Sequence, residues 1–108
     1  MNKDDIENSI AELKEVLNHR FGSEIEVYLF GSVARDDYGA ESDIDVLVLV
    51  PGEVDTETEV DIIDLAYNIE LKYDVVFGVL VNGKEFWESE KAAVMPFHQN
   101  LQREAIRL

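Results

Sequence analysis

The stretch SDIDVLVLV, residues 42–50, constrains the fold of this chain more than any other part of the sequence. Alternate side chains of a β-strand point to the same face. Asp43 and Asp45 are therefore predicted to share one face with two leucines, while an isoleucine and three valines occupy the other. Because both faces are apolar beyond Val46, the pattern predicts an internal strand that is covered on both sides.

Helices and further strands are predicted on either side of this segment. In chain order, the predicted elements are a helix at 4–20, a strand at 25–30, a half-turn of helix with a loop at 33–41, the strand at 42–50, a helix at 56–73, a strand at 74–81, a short helix through Phe86 and Trp87, and a last helix at 96–108 that Pro96 opens. Gly22 is expected to cap the C-terminus of the first helix, and Thr56 is expected to be the N-cap of the second long helix. The order α-β-β-α-β-α predicts an α/β (α+β) fold, a small mixed β-sheet flanked by helices, in a single domain over residues 1–108.

The chain is strongly acidic, with 24 acidic against 9 basic residues and a formal net charge of −15. Such a charge repels nucleic-acid backbones, so direct nucleic-acid binding is not expected, whereas cations or a basic partner are. The N-terminus lacks the apolar core of a signal peptide, and no apolar run is long enough to span a membrane. A cytoplasmic protein with no membrane association is therefore expected.

Two carboxylates at the start of the internal strand suggest a metal site. Asp43 and Asp45 would repel each other at the edge of the core, and burial would raise their pKa unless a cation lay between them. Oxygen ligands without histidine or cysteine favour Mg²⁺, with Mn²⁺ as a second candidate. Asp74 opens the predicted strand at 74–81, and strand pairing would bring it to the pair, where three carboxylates could hold two ions for phosphoryl transfer. The alternative for Asp74 is a solvated acid at the start of a strand.

A Gly-Ser turn precedes the acids at a fixed distance. Gly31 and Ser32 follow the predicted strand at 25–30 and offer backbone N–H groups and a hydroxyl to a phosphate, and Arg35 could reach the same anion. The alternative is a helix cap at Ser32 and an ion pair from Arg35 to Asp36 or Asp37. Ten residues separate Ser32 from Asp43, whereas the earlier Phe-Gly-Ser at 21–23 has no carboxylate at that distance. We therefore interpret the earlier copy as a helix stop.

The segment FGSVARDDYGAESDIDV, residues 30–46, resembles the motif of the DNA polymerase β-type nucleotidyltransferase superfamily. In particular it is similar to the minimal nucleotidyltransferase (MNT) antitoxins that are paired with HEPN toxins. This resemblance implies a mixed sheet flanked by helices, and AMP transfer from ATP to a hydroxyl of a HEPN ribonuclease, with tyrosine the expected acceptor. It implies a role for each of seven residues. Gly31 and Ser32 would contact the triphosphate, Arg35 a phosphate, and Ser42 the nucleotide. Asp43 and Asp45 would ligate two Mg²⁺ ions, and Asp74 would ligate the catalytic ion and help to deprotonate the acceptor.

The sequence departs from the family at one position and leaves other functions open. Many relatives have glycine directly after the Ala-Arg pair, where this chain has Asp36. A non-catalytic antitoxin that only binds its toxin is one alternative, and a small-molecule nucleotidyltransferase that borrows its acceptor site from a second chain is another. A homodimer is conceivable for so small a domain. His98 is expected at the surface or in a cap, and Trp87 as a core or interface anchor.

Overall fold

The computed structural model describes residues 2–39 and 42–108. Within these ranges, the long helices are α1 (Lys3–Phe21) and α3 (Thr56–Tyr73), and the shorter ones are α2 (Gly31–Ala34), α4 (Lys84–Trp87), α5 (Glu90–Ala93) and α6 (Pro96–Glu104). The strands are β1 (Glu26–Phe30), β2 (Ile44–Val50), β3 (Phe77–Gly83) and β4 (Ile106–Arg107). In the described part of the chain, no helix is both long enough and apolar enough to cross a membrane.

The strands form one sheet in the order β3-β2-β1-β4. β2 runs antiparallel to β1 and parallel to β3, and α3 makes the crossover that a parallel pair requires. β4 adds antiparallel to the other side of β1. The prediction that β2 is an internal strand of a mixed sheet is therefore confirmed.

Helices cover the two faces of the sheet unequally. The first face carries Ile44 and the valines of β2, and it packs on the long helices α1 and α3 through fully buried residues such as Leu13, Leu17 and Ile62. The second face carries Leu47 and Leu49 in the middle of the sheet, and Trp87 of α4 and Leu101 of α6 pack on it. This face carries Asp45 at one end, because Asp45, Leu47 and Leu49 alternate with the residues of the first face.

Several predicted boundaries are corrected by the structure. The strand predicted at 74–81 begins at Phe77, because Asp74 adopts left-handed backbone angles (φ 55°, ψ 49°) and caps the C-terminus of α3. α3 does begin at Thr56, but its N-cap is Asp55, whose carboxylate accepts a hydrogen bond from the Thr58 N–H at 2.7 Å. α2 starts at Gly31, earlier than the half-turn predicted at 33–41.

The C-terminal part of the chain also differs from the prediction. The last helix ends at Glu104, since Ala105 is extended, and Ile106 and Arg107 form β4. His98, expected at the surface or in a cap, is not at the surface, since it is only 2% exposed. Its Nε2 lies 2.7 Å from the Trp87 carbonyl oxygen, so Nε2 carries a proton and links α6 to the end of α4. The prediction that Trp87 is a core anchor is confirmed by its burial on the second face.

Candidate active site

Asp43 and Asp45 lie at the N-terminal end of β2. Asp43 immediately precedes the strand and is exposed, whereas Asp45 is half-buried at the end of the second face. In the sheet register Asp45 lies opposite Phe30 of β1 on one side and Gly78 of β3 on the other. The chain turns into α2 directly after Phe30, so Gly31 and Ser32 are brought to this same end of the sheet.

Two glycines make room for the Asp45 carboxylate. Gly31 has a φ of 74°, which favours glycine, and a Cβ there would collide with Asp45 Oδ2. A Cβ on Gly78 would lie 2.7 Å from Asp45 Oδ1, closer than van der Waals contact allows. The carboxylate is therefore held between two residues without side chains. The Gly-Ser motif singled out Gly31 as a phosphate contact and not for this role, and the role of Gly78 depends on strand register and had no local signal.

The electrostatics of the site favour a bound cation. Burial, and then the neighbouring Asp43 carboxylate, raise the pKa of Asp45 above its ordinary value, with a smaller contribution from Glu104 in the same direction. The Arg35 guanidinium acts against them but does not cancel them. A divalent cation between the two aspartates would relieve this repulsion, and Mg²⁺ is commonly held by one or two carboxylates together with substrate phosphates. The donor set of Asp43 and Asp45 therefore fits such an ion.

Arg35 lies near Asp45 but is engaged by other acids. Its Nε donates to Asp37 Oδ2 at 3.2 Å, and its Nη1 lies 3.3 Å from Glu104 Oε2. The side chain is 48% exposed, so these ion pairs are weak and can exchange for a phosphate. The predicted pairing with Asp37 is present, and Glu104 of α6 is a partner that the sequence reasoning missed. No spacing rule could have found it, because packing of α6 on the sheet places it there.

Ser42, just before β2, is hydrogen-bonded to Gly39. The Ser42 hydroxyl accepts a hydrogen bond from the Gly39 N–H at 2.9 Å, and the Ser42 N–H donates to the Gly39 carbonyl at 3.2 Å. Ser42 thus has a structural partner, and its predicted contact with nucleotide stays a prediction. Asp36, which replaces the glycine of many relatives, adopts a φ of 59°. The position therefore requires the conformation that glycine adopts at least cost.

Asp74 is not brought to the aspartate pair. It is exposed at the end of α3, and its N–H donates to the Glu70 carbonyl. The residue of β3 that faces Asp45 is Gly78, four positions later. Among residues 2–39 and 42–108, no three histidine, cysteine or acidic side chains are grouped to hold a metal ion. The predicted ligand and base role of Asp74 is therefore not supported by its position here, and it stays a prediction.

Comparison with known proteins places the site in a family. The pattern of the family described as "Nucleotidyltransferase domain" matches residues 10–100, which include both motifs. The chain belongs to this family. The resemblance inferred from the Gly-Ser and Asp-x-Asp motifs is thereby confirmed, and so is the prediction that the chain is of the nucleotidyltransferase class of enzymes.

Two relatives from Methanocaldococcus jannaschii and two crystal structures are similar to this chain. "Putative protein adenylyltransferase MJ0604" of Methanocaldococcus jannaschii is 37% identical over 99 residues, covering 91% of this chain and 92% of that protein. "Putative protein adenylyltransferase MJ0141" of the same organism is 43% identical over 58 residues, 54% of this chain and 59% of that protein. The crystal structure of a toxin–antitoxin with AMP-PNP superposes on this chain with a TM-score of 0.59 and 20% sequence identity. The crystal structure of a mutant of the toxin–antitoxin MntA-HpeT also has a TM-score of 0.59, with 18% identity. Each superposition covers 94% of this chain and 70% of the other chain. These two similarities confirm the predicted fold.

Proposed function

We propose that this member of the nucleotidyltransferase family is a Mg²⁺-dependent protein adenylyltransferase that uses ATP. The observation that carries the proposal is the Asp45 carboxylate held between Gly31 and Gly78 beside Asp43, with the Gly-Ser turn at the same end of the sheet. The Methanocaldococcus jannaschii relative that aligns over most of both chains bears the name of a protein adenylyltransferase, which supports the choice of acceptor class.

In the proposed reaction, an oxygen of the acceptor hydroxyl bonds to the α-phosphorus of ATP. The bond from this phosphorus to the oxygen that bridges to the β-phosphate breaks, pyrophosphate leaves, and the hydroxyl proton passes to solvent or a carboxylate. Asp43 and Asp45 would hold Mg²⁺, which supplies charge neutralisation at the phosphates. Gly31 and Ser32 would receive the triphosphate, since the backbone there can approach closely, and Arg35 would exchange Asp37 for a phosphate oxygen. Ser42, which is hydrogen-bonded to Gly39, would contact the nucleotide.

We propose that the acceptor is a hydroxyl, expected to be that of a tyrosine, on a HEPN ribonuclease toxin, and that its modification neutralises the toxin. The net charge of −15 would steer a basic RNA-binding protein towards this chain. The two crystal structures compared above are of toxin–antitoxin proteins, one of them with AMP-PNP, which supports the proposal of a toxin partner and of an adenine nucleotide. An ATP-dependent reaction of this kind fits the cytoplasmic location expected from the sequence.

Intact-mass spectrometry of the protein encoded beside this one tests the proposal. After incubation with this chain, ATP and Mg²⁺, we expect a gain of one or more AMP units. Asp45→Asn should abolish the gain, whereas Asp64→Asn removes an exposed carboxylate from α3 and should preserve it. If the two proteins co-purify but no mass is gained, the chain is an antitoxin that acts by binding alone.

Asp74 requires its own variant, because its predicted role and its position disagree. If Asp74 is the third ligand, Asp74→Asn should lower the rate of AMP transfer by about a hundredfold or more, as expected when a carboxylate that holds a catalytic ion is lost. If Asp74 only caps α3, the rate should stay within about twofold, because an asparagine is well tolerated in the left-handed conformation. Asp45→Asn provides the reference for loss of a ligand from the pair.

A further inference from the structure

A cavity of about 260 Å³ lies on the second face of the sheet, between the sheet and helices α4 and α6. Its lining consists of Tyr28, Leu47, Leu49, Trp87, Glu88, Leu101, Gln102 and Ala105. The three leucines and Trp87 are buried and form an apolar interior, whereas Glu88 and Gln102 are exposed. The cavity is therefore apolar inside and polar where it meets solvent. None of the residues assigned to the active site lines it.

The residues that line the cavity start one position beyond Asp45 on the second face of the sheet. Leu47 is the next residue after Asp45 on the second face of β2, about 7 Å along the strand. The cross-strand partners repeat this order on β1, where Phe30 lies opposite Asp45 and Tyr28 opposite Leu47. A single ligand with its phosphates at Gly31 and Asp45 could therefore extend along β1 and β2 into the cavity.

The residues that line the cavity favour binding of an uncharged, flat group and disfavour binding of a phosphate. The Glu88 carboxylate is anionic and repels phosphate, and no lysine or arginine lines the cavity among the described residues. The Tyr28 hydroxyl already donates to Glu26 Oε1 at 2.6 Å, so it offers little to an incoming ligand. Glu88 can accept a hydrogen bond, and the Gln102 amide can both donate and accept, which suits the edge of a nucleobase. Tryptophan is a common stacking partner of bases.

The volume of the cavity fits a single ring system and is too small for a whole nucleotide. Pockets for complete small-molecule ligands usually hold roughly 300–1,000 Å³, and this cavity falls just below that range. We propose that it receives the base of the nucleoside triphosphate, and that Glu88 and Gln102 set the base preference while Trp87 packs against the ring. This inference rests on the proposed function, because it takes the triphosphate site at Gly31 and Asp45 as its starting point.

Trp87 supplies the readout, since it is the sole tryptophan of the chain. Binding of ATP and of inorganic tripolyphosphate to the whole protein would be measured by calorimetry with Mg²⁺ present, alongside Trp87 fluorescence. We expect both ligands to bind, with ATP changing the fluorescence along its calorimetric binding curve and tripolyphosphate leaving it unchanged. The comparison separates the base from the phosphates, because only ATP carries a base.

Two variants test the cavity directly. Ala105→Phe places a ring in the cavity and should weaken ATP binding by about tenfold or more, while tripolyphosphate binding stays within about twofold. Ala11→Phe adds the same ring to the exposed side of α1 and is the matched control. Gln102→Ala removes an exposed amide at the entrance, so it does not threaten folding, and it should change the preference for ATP over CTP. Thermal melting of each variant checks that it is folded.

Each contrary outcome has a distinct meaning. If ATP binds without any change in Trp87 fluorescence, and Gln102→Ala leaves the ATP-to-CTP preference unaltered, the base lies outside the cavity and the inference is wrong, although the proposed function stands. If neither ATP nor tripolyphosphate binds, the proposed function fails together with the inference. If tripolyphosphate changes the fluorescence as much as ATP does, Trp87 responds to the phosphates and the assignment of the base is overturned.

Discussion

At the scale of single residues, Asp36 holds a backbone conformation that residues with a Cβ adopt only at a cost. Its φ of 59° lies in the left-handed region, and its side chain is exposed and accepts no hydrogen bond from the described residues. We expect Asp36→Gly to raise the free energy of unfolding by about 0.5–1 kcal/mol, because glycine relieves this strain. Urea unfolding would measure the change.

The control for this prediction is Asp36→Ala. Alanine removes the same charge but keeps the Cβ, and it lacks the short polar side chain that lets aspartate tolerate this conformation. It should therefore destabilise the protein. An equal gain from both substitutions would mean that loss of negative charge, and not backbone strain, explains the effect.

The second prediction at the residue scale is that Gly78 is needed to position the Asp45 carboxylate. A methyl group in Gly78→Ala would lie 2.7 Å from Asp45 Oδ1, so the carboxylate must rotate away. We expect Mg²⁺-dependent activity to fall by about tenfold or more, because a ligand shifted by an ångström holds an ion poorly. The free energy of unfolding should change by only about 1 kcal/mol, since a side chain and not backbone gives way.

Gly39→Ala is the matched control, because nothing lies within 4 Å of a Cβ built there and its φ is not positive. It should leave both activity and stability near the wild-type values. If Gly78→Ala keeps full activity, the contact with Asp45 is not needed to position the carboxylate.

At the scale of elements, local patterns determined what could be predicted. The strand β2 and its two acids were predictable because alternation and two apolar faces are properties of a short contiguous segment. The end of α3 at Tyr73 was also predicted correctly. The start of β3 was not, because the apolar run begins directly after Asp74, whereas Asp74 caps α3 in a left-handed conformation and β3 begins only at Phe77.

Long-range packing explains the rest of what the sequence reasoning missed. The place of Gly78 beside Asp45 depends on the register of β3, which starts later than predicted. Glu104 reaches Arg35 only because α6 folds back over the second face, where β4 then joins the sheet. Neither contact leaves a spacing pattern in the sequence, so the site could be predicted at its centre but not at its edges.

Glu26 connects three elements and gives a prediction about pH. Its buried carboxylate accepts from Tyr28 at 2.6 Å and pairs with Lys84 of α4 at 2.5 Å and Arg107 of β4 at 3.8 Å. Lys84 first, and then Tyr28, hold the pKa of Glu26 below its ordinary value of 4.5. The stabilisation from the ionised carboxylate is therefore present above pH 4.5 and is lost as the pH falls through the lower folded-state pKa.

We expect Glu26→Gln to lower the free energy of unfolding by about 1–3 kcal/mol at pH 7, because Lys84 then loses a buried ionic partner. The difference in the free energy of unfolding between Glu26→Gln and wild type should become smaller on acidification to pH 3. Urea unfolding at pH 7 and at pH 3 would measure this difference. Glu12→Gln breaks a more exposed pair with Lys72 and should cost less. A difference that stays constant with pH would show that packing, and not charge, accounts for the loss.

At the scale of the whole molecule, the net charge of −15 destabilises the folded state through general repulsion between acidic groups. Asp43 and Asp45 add a local repulsion between two neighbouring carboxylates. General repulsion is screened by any salt, whereas the local part requires an ion held between Asp43 and Asp45. We expect NaCl to raise the melting temperature, and Mg²⁺ at equal ionic strength to raise it further. At ten times its dissociation constant, Mg²⁺ should add about 1.4 kcal/mol of stability, which is several degrees for a domain of this size.

Variants of Asp43 and of a distant aspartate separate the effect of bound Mg²⁺ from the effect of general salt screening. Asp43→Asn should abolish the additional effect of Mg²⁺ and keep the effect of NaCl, while Asp64→Asn, which removes one charge from the exposed side of α3, should keep both. In the absence of Mg²⁺, Asp43→Asn should also be at least as stable as wild type, because the carboxylate that raises the pKa of Asp45 is gone. If Mg²⁺ stabilises Asp43→Asn as much as wild type, the ion acts only by screening. In that case Mg²⁺ would bind only together with the phosphates of a nucleotide.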